Sequence, residues 1–289
     1  EFQVLTICNL SGEVLFEKEF DDTVYDVNAF LNSTLIPFLE NIDIEIAGLG
    51  LAIPGICQKS ENVILKSYPL NLSNRVELPK EITIKGNVIP VFIENDVRCW
   101  GWGKTAFNKE NDPFFVFIQH FIDSKENPEK FMRITGGSAF FINGSPVYGA
   151  NGCAGELPFI FRAEAYKDKY IPLEERFKMK TDSQICSEYL NCMGMTLSYI
   201  STVFDVKKVF ISGFETMPVE QLRERMEKAF EQLRFYPVLQ NVGVIIEGAE
   251  KNATAIGASG FVFEELIVRP CECEMLSSRL IKTRTDPLS

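Results

Sequence analysis

Two carboxylates and an amide side chain follow directly after a buried strand, and these residue types can accept protons and hydrogen bonds. Val88–Ile93 has the apolar pattern of a buried strand, and Glu94, Asn95 and Asp96 come next. Open α/β sheets place their ligand crevices at the carboxyl ends of strands. A carboxylate there, such as Asp96, can take the proton of a sugar hydroxyl during phosphoryl transfer. The alternative is that Asp96 only caps the following segment and that Asn95 completes a turn.

A glycine-rich turn offers a second candidate. Gly149–Glu156 contains glycines at positions 149, 152 and 155, and Glu156 stands at its end. Glycines at this spacing let the backbone turn tightly and approach a ligand closely. The alternative is a plain loop with a solvated Glu156.

Other familiar motifs are incomplete. Gly48–Gly55 is not a dinucleotide fingerprint, because Ile53 stands where the third glycine belongs, and there is no G-x-x-x-x-G-K-S/T loop. Cys271 and Cys273 supply half of a closed zinc site, which needs four ligands. The only histidine, His120, lies in an apolar strand pattern far from them. We therefore expect no metal site and no histidine-based nucleophilic set.

The composition narrows the class of protein. The 289 residues carry 29 Lys+Arg against 40 Asp+Glu, a net charge of −11, which argues against an extended phosphate-binding surface on this chain. No apolar run has the roughly 18–20 residues of a membrane helix, so we expect no membrane association. Apart from the pair Cys271 and Cys273, the eight cysteines are well separated along the chain, and we expect reduced thiols in a cytoplasmic protein.

Strand and helix patterns alternate along the chain after an initial hairpin. This order indicates an α/β protein with a mixed sheet, and two similar lobes would fit the length. The predicted strands are Gln3–Cys8, Glu13–Phe20, Ile46–Ile53, Val88–Ile93, Phe114–Gln119, Phe131–Ile142, Lys208–Ser212 and Val242–Glu247. The predicted helices are Val24–Ile42, with a kink or boundary at Pro37, then Asp182–Phe204, Val219–Leu233 and Ala253–Ile267, before a polar tail, Arg269–Ser289.

Taken in order, these motifs resemble the ROK family (repressors, open reading frames and sugar kinases). The resemblance spans nearly the whole chain. Its segments are Asn9–Leu15, Ala47–Gly55, Ile93–Val97 and Asn143–Glu156, followed by Val209–Gly213 and Ala255–Ala258.

The resemblance implies a two-lobed, actin-like fold of the hexokinase and ribonuclease H type, with mixed sheets and an interlobe cleft. We expect residues 1–97 with 264–289 to form the N-terminal lobe and residues 98–263 the C-terminal lobe. It also implies that Asn95, Asp96 and Glu156 bind a sugar, with Asp96 at the position of the catalytic base. Gly137 and Gly213 would lie at a degenerate nucleotide site, and the chain would form a homodimer or tetramer.

Several positions depart from the kinase pattern. Glu1 stands where the kinases have the Thr of an Asp-x-Gly-Gly-Thr phosphate loop, and Arg133–Ala139 matches the second phosphate motif poorly. Phe159 replaces the histidine that binds sugar and zinc, and the family's cysteine cluster has no counterpart in Arg162–Lys180. We expect no zinc and a damaged nucleotide site.

Three functions remain open. The favoured one is the sugar-sensing and oligomerisation region of a transcriptional regulator of carbohydrate metabolism, which binds DNA through a winged helix-turn-helix upstream of residue 1 and not in this chain. The second is an ATP- and Mg-dependent hexose kinase with a clipped start, in which Asp96 is catalytic. The third is a degenerate interaction module. Asp96 does not discriminate the first two, since both kinds of family member can keep it.

Overall fold

A computed structural model describes residues 3–20, 26–67, 69–122, 133–156, 194, 196–212, 223–224, 227–228, 231, 242–248 and 252–268. The chain divides into two compact units. The first contains residues 1–110 and 251–289, and the second contains residues 111–250.

The first unit contains a β-hairpin and a three-stranded mixed sheet. The hairpin joins β1 (Gln3–Cys8), whose predicted bounds are confirmed, to β2 (Val14–Phe20). In the sheet, β8 (Asn87–Asn95) lies between the parallel β3 (Leu49–Ile53) and the antiparallel β7 (Glu81–Ile84). Because β8 is paired on both sides, its residues 89–91 and 93 are almost fully buried.

A small antiparallel sheet lies between β3 and β7 in the sequence and was not predicted. Its strands are only two to four residues long, too short for an alternating pattern to be visible. They are β4 (Ile56–Gln58), β5 (Val63–Lys66) and β6 (Val76–Glu77).

The predicted helix around Pro37 is present as a run from residue 27 to residue 40. α1 (Val27–Phe30) passes into a π-helical turn (Leu31–Leu35) and then into α2 (Ile36–Glu40), with Pro37 in the first turn of α2. A helix tolerates proline there because the first N–H groups have no intrahelical partner. The leucines of this run at positions 31, 35 and 39 are at most 3% exposed and belong to the core of the unit.

Two glycine-containing helices pack closely in the first unit. α3 (Asp96–Ala106) contacts a late helix, designated α5 (Ala253–Phe263), which also packs on β1 and β3. Trp102 of α3 stacks on Phe261 of α5 with a centroid distance of 5.8 Å. Because of this packing the structure groups both helices with the first unit. The lobe boundaries expected from the sequence, at 97/98 and 263/264, stay predictions.

The second unit is built on a five-stranded mixed sheet. Its order is β11-β10-β9-β12-β13, with antiparallel pairs on one side of β9 and parallel pairs on the other. A helix, α4 (residues 196–203), precedes β12. The strands are β9 (Phe114–Ile122), β10 (Arg133–Ile142), β11 (Ser145–Pro146), β12 (Lys208–Ser212) and β13 (Gly243–Ile246).

This strand order is that of a ribonuclease H-like sheet, from which actin-like folds are built, and the predicted α/β class with mixed sheets is confirmed. The interlobe cleft stays a prediction. Most of the predicted helix Val219–Leu233 lies outside the described residues. The whole of the tail Arg269–Ser289 does so as well. None of the helices in the described ranges has the length and apolar character that crossing a membrane requires.

Candidate functional site

The strand β8 passes directly into helix α3, and Asn95 forms the corner between them. The Oδ1 atom of Asn95 accepts hydrogen bonds from the backbone N–H groups of Val97 and Arg98, both at 3.1 Å. Its Nδ2 atom donates to the carbonyl oxygen of Gly55 at 3.0 Å. Asn95 is therefore the N-cap of α3 and also ties the corner to the Pro-Gly turn after β3.

Asp96 is the first residue of α3 and is partly exposed. Its Oδ1 atom accepts a hydrogen bond from the N–H of Val97 at 2.9 Å. The N-terminal end of a helix stabilises a negative charge. The structure thus places an acceptor carboxylate at the carboxyl end of a central strand, where the sequence predicted one, and Asn95 provides the main cap. The ligand contacts of Asn95 and Asp96 stay predictions.

Sequence reasoning missed a buried ion pair at this corner. The Glu94 carboxylate is 3.2 Å from the Nη1 atom of Arg98, and the two residues are 1% and 2% exposed. The same Glu94 oxygen accepts a hydrogen bond from the N–H of Asn95 at 2.8 Å. The sequence did offer one signal, since opposite charges four residues apart are typical of an ion pair within one helix. Here, however, Glu94 lies at the end of a strand and Arg98 at the start of a helix.

Cys99, one turn into α3, is not a candidate nucleophile. Burial raises the pKa of the Cys99 thiol well above its usual value, and the charges of Glu94 and Asp96 act in the same direction. A thiol that stays protonated is a poor nucleophile.

In the second unit, the glycine-rich turn folds back against β10 at Ser138. The N–H of Ala154 donates to the carbonyl oxygen of Tyr148 at 3.1 Å. Gly155 has φ +94°, and a Cβ atom there would lie 2.1 Å from the carbonyl oxygen of Ser138. Ser138 Oγ in turn donates a hydrogen bond to the carbonyl oxygen of Gly155. Only glycine fits this position, because both the backbone angle and the space exclude a side chain.

Glu156 follows this glycine and is exposed, with its N–H donating to the carbonyl oxygen of Cys153 at 3.1 Å. Asn95 and Asp96 are neighbours on one corner of the first unit, whereas Glu156 belongs to the second unit. That all three bind one sugar stays a prediction.

The predicted nucleotide position Gly137 lies within β10, opposite Ile118 of β9. Its predicted partner Gly213 lies outside the described residues, as do Phe159 and Arg162–Lys180. The Cys271/Cys273 pair is also outside them. Within the described part of the chain, no group of three or more His, Cys, Asp or Glu residues could hold a metal ion.

Comparisons with solved structures identify the fold. A ROK family protein from Streptococcus pneumoniae TIGR4 in complex with sucrose is 15% identical, with TM-score 0.61, covering 92% of this chain and 95% of that one. A ROK family glucokinase from Streptomyces griseus in complex with glucose and AMPPNP is 15% identical, with TM-score 0.59 and coverages of 90% and 99%. A ROK family transcriptional regulator, a homolog of the E. coli MLC protein, is 16% identical, with TM-score 0.62 and coverages of 94% and 78%.

No curated protein matches the sequence at a significant level. The family model described as the ROK family matches residues 3–164, which is more than half of the chain and includes β8, the Asn95–Asp96 corner and the glycine-rich turn. The resemblance predicted from the motifs is confirmed, and the chain belongs to the ROK family.

Proposed function

We propose that this chain is the sugar-sensing and oligomerisation region of a ROK-type transcriptional regulator of carbohydrate metabolism, without kinase activity. The observation that carries the sugar site is Asp96, a partly exposed carboxylate at the start of α3 and the end of central strand β8. Carboxylate and amide groups give directional acceptors for several hydroxyls. The sucrose and glucose in the two similar structures support a sugar as the ligand class.

The regulator is favoured by the sequence departures from the kinase pattern. Phe159 stands in place of the sugar-binding histidine, Glu1 stands at the Thr position of the first phosphate motif, and Arg133–Ala139 matches the second phosphate motif poorly. The similar regulator structure supports it as well. In this proposal, a winged helix-turn-helix upstream of residue 1 contacts DNA, since the net charge of −11 disfavours contacts through this chain. The protein acts in the cytoplasm as a homodimer or tetramer.

A sugar kinase is the second candidate, and the glucokinase structure with glucose and AMPPNP favours it. In that reaction Asp96 would accept the proton of the sugar hydroxyl as the oxygen attacks the terminal phosphoryl group of ATP–Mg. Gly137 and Gly213 would then lie near the nucleotide.

Titration calorimetry against a panel of hexoses and amino sugars tests the sugar site. We expect binding by the unaltered chain and about 10- to 100-fold weaker binding by Asp96→Asn and Glu156→Gln, because hydrogen bonds to a charged group contribute about 1.5–3 kcal/mol each. Glu61→Gln is the matched control, since Glu61 lies in an exposed ion pair with Arg75 elsewhere in the first unit. It should bind as the unaltered chain does. No binding of any sugar would favour the interaction module.

An assay of ADP release on the full-length protein separates regulator from kinase. The regulator predicts no sugar-dependent release, because phosphoryl transfer depends on positioning and neutralising the phosphate charge. Sugar-dependent release at ordinary enzyme rates, lost in Asp96→Asn, would instead establish the kinase.

A further inference from the structure

The buried ion pair between Glu94 and Arg98 lies outside the residues proposed to bind sugar, yet its two members flank Asn95 and Asp96. Three contacts form a closed set there. Glu94 accepts from the N–H of Asn95, the side chain of Arg98 donates to Glu94, and the N–H of Arg98 donates to the side chain of Asn95. These contacts enclose Asn95, the residue directly before Asp96.

Stability alone explains such a pair poorly. Removing two charges from water costs several kcal/mol per ion, and replacing a buried pair by apolar side chains of similar volume is often neutral or stabilising. Glu94 and Arg98 are 1% and 2% exposed, so this desolvation cost applies to both. What the charged pair does provide is direction, since a charge-assisted hydrogen bond fixes the donor and the acceptor in one geometry.

We propose that the Glu94–Arg98 ion pair is the positioning element of the sugar site, holding the Asn95–Asp96 backbone so that the Asp96 carboxylate faces its ligand in one orientation. This rests on the proposed sugar binding. Glu94 and Arg98 are positioning residues and touch no sugar. A site gains affinity when its ligand-contacting groups are held in place before binding.

The test compares three substitutions at Glu94 by calorimetry with the sugar that binds best, under conditions where thermal melting shows each variant to be folded. Glu94→Ala removes the acceptor of the Asn95 N–H, and we expect sugar affinity to fall about tenfold or more. Glu94→Gln keeps an oxygen that can accept from the Asn95 N–H but abolishes the ion pair with Arg98, so we expect a smaller fall in affinity, of about threefold to tenfold. If Glu94→Ala does not fold, Glu94→Asp, which retracts the carboxylate by one methylene group, takes its place.

A purely stabilising role would leave the affinity of the folded protein unchanged, because global stability does not enter a dissociation constant when nearly every molecule is folded. Unchanged affinity in Glu94→Ala, or full affinity in Glu94→Gln, would therefore overturn the proposal. Glu61→Gln, in the exposed pair with Arg75, controls for loss of a carboxylate as such.

Amide hydrogen exchange gives a reading that needs no sugar. In Glu94→Ala we expect faster exchange at residues 95–98 and unchanged exchange at residues 89 and 91–93 of β8. Unchanged exchange at residues 95–98 would overturn the positioning role. If the unaltered chain binds no sugar, the proposed function fails. The exchange result alone then tests whether the ion pair fixes the backbone at Asn95 and Asp96.

Discussion

Replacing Gly257 by alanine should force helices α3 and α5 apart. An alanine Cβ at this position would lie 1.8 Å from the carbonyl oxygen of Cys99 and 2.4 Å from its carbonyl carbon. A relaxed carbon–oxygen contact needs about 3.4 Å, so one backbone has to move by about 1.5 Å. The contacting atoms of Cys99 belong to its backbone and not to the end of a flexible side chain. Rotation of a side chain therefore cannot relieve the contact.

Two opposing effects set the magnitude. Alanine in a helix interior is favoured over glycine by about 1 kcal/mol. Overpacking of a closely packed core costs about 1–3 kcal/mol and sometimes more. Separating the helices also weakens the stacking of Trp102 on Phe261, and an aromatic pair is worth about 0.5–1.5 kcal/mol. We expect a net loss of about 0.5–3.5 kcal/mol in the free energy of unfolding, or a fall of about 1–6 °C in Tm.

Urea and thermal unfolding of a graded series check this reasoning. A Cβ at Gly260 would meet its nearest atoms at 3.1 Å, and a Cβ at Gly248 would meet nothing within 4 Å. We therefore expect Gly257→Ala to destabilise most, Gly260→Ala less, and Gly248→Ala by no more than about 0.5 kcal/mol. A Gly257→Ala variant as stable as the unaltered chain, or more stable, would show that the α3–α5 contact is not as close as described.

Three further outcomes are expected. Gly155→Ala should cost clearly more stability in urea unfolding than Gly86→Ala, because both have positive φ (+94° and +77°) but only Gly155 also lacks space; Gly86→Ala should lose about 1 kcal/mol. Asn95→Ala removes the cap of α3 and should lose about 1–2 kcal/mol in the same assay. The folded state keeps the Cys99 proton that the unfolded chain releases above a pKa of about 8.5, so the free energy of unfolding should fall as pH rises from there. In Cys99→Ala this fall in the free energy of unfolding should be smaller by up to about 1.4 kcal/mol per pH unit. In the folded protein, a thiol reagent should label the exposed Cys153 and not the buried Cys99.

Local patterning explains which elements the sequence predicted well. The strands Gln3–Cys8 and Lys208–Ser212 have the predicted bounds, because apolar β-branched and aromatic residues between turn signals mark a strand without reference to the rest of the chain. Helix α3 was not predicted. Seven of its eleven residues are buried, so it has no polar face to show a helical period, and it contains two glycines and two tryptophans. It forms a helix there because Asn95 caps it and α5 packs along it.

The sequence by itself determined the family, the mixed α/β class and the position of Asp96 at a strand end, since each depends on residues close together in the chain. The tertiary structure decided what holds Asp96 in place. The tie between Asn95 and Gly55 joins residues 40 apart in the sequence, and the close contact of Gly257 with Cys99 joins two distant helices. Such contacts follow from how closely whole elements pack, and packing depends on the shape of both partners at once.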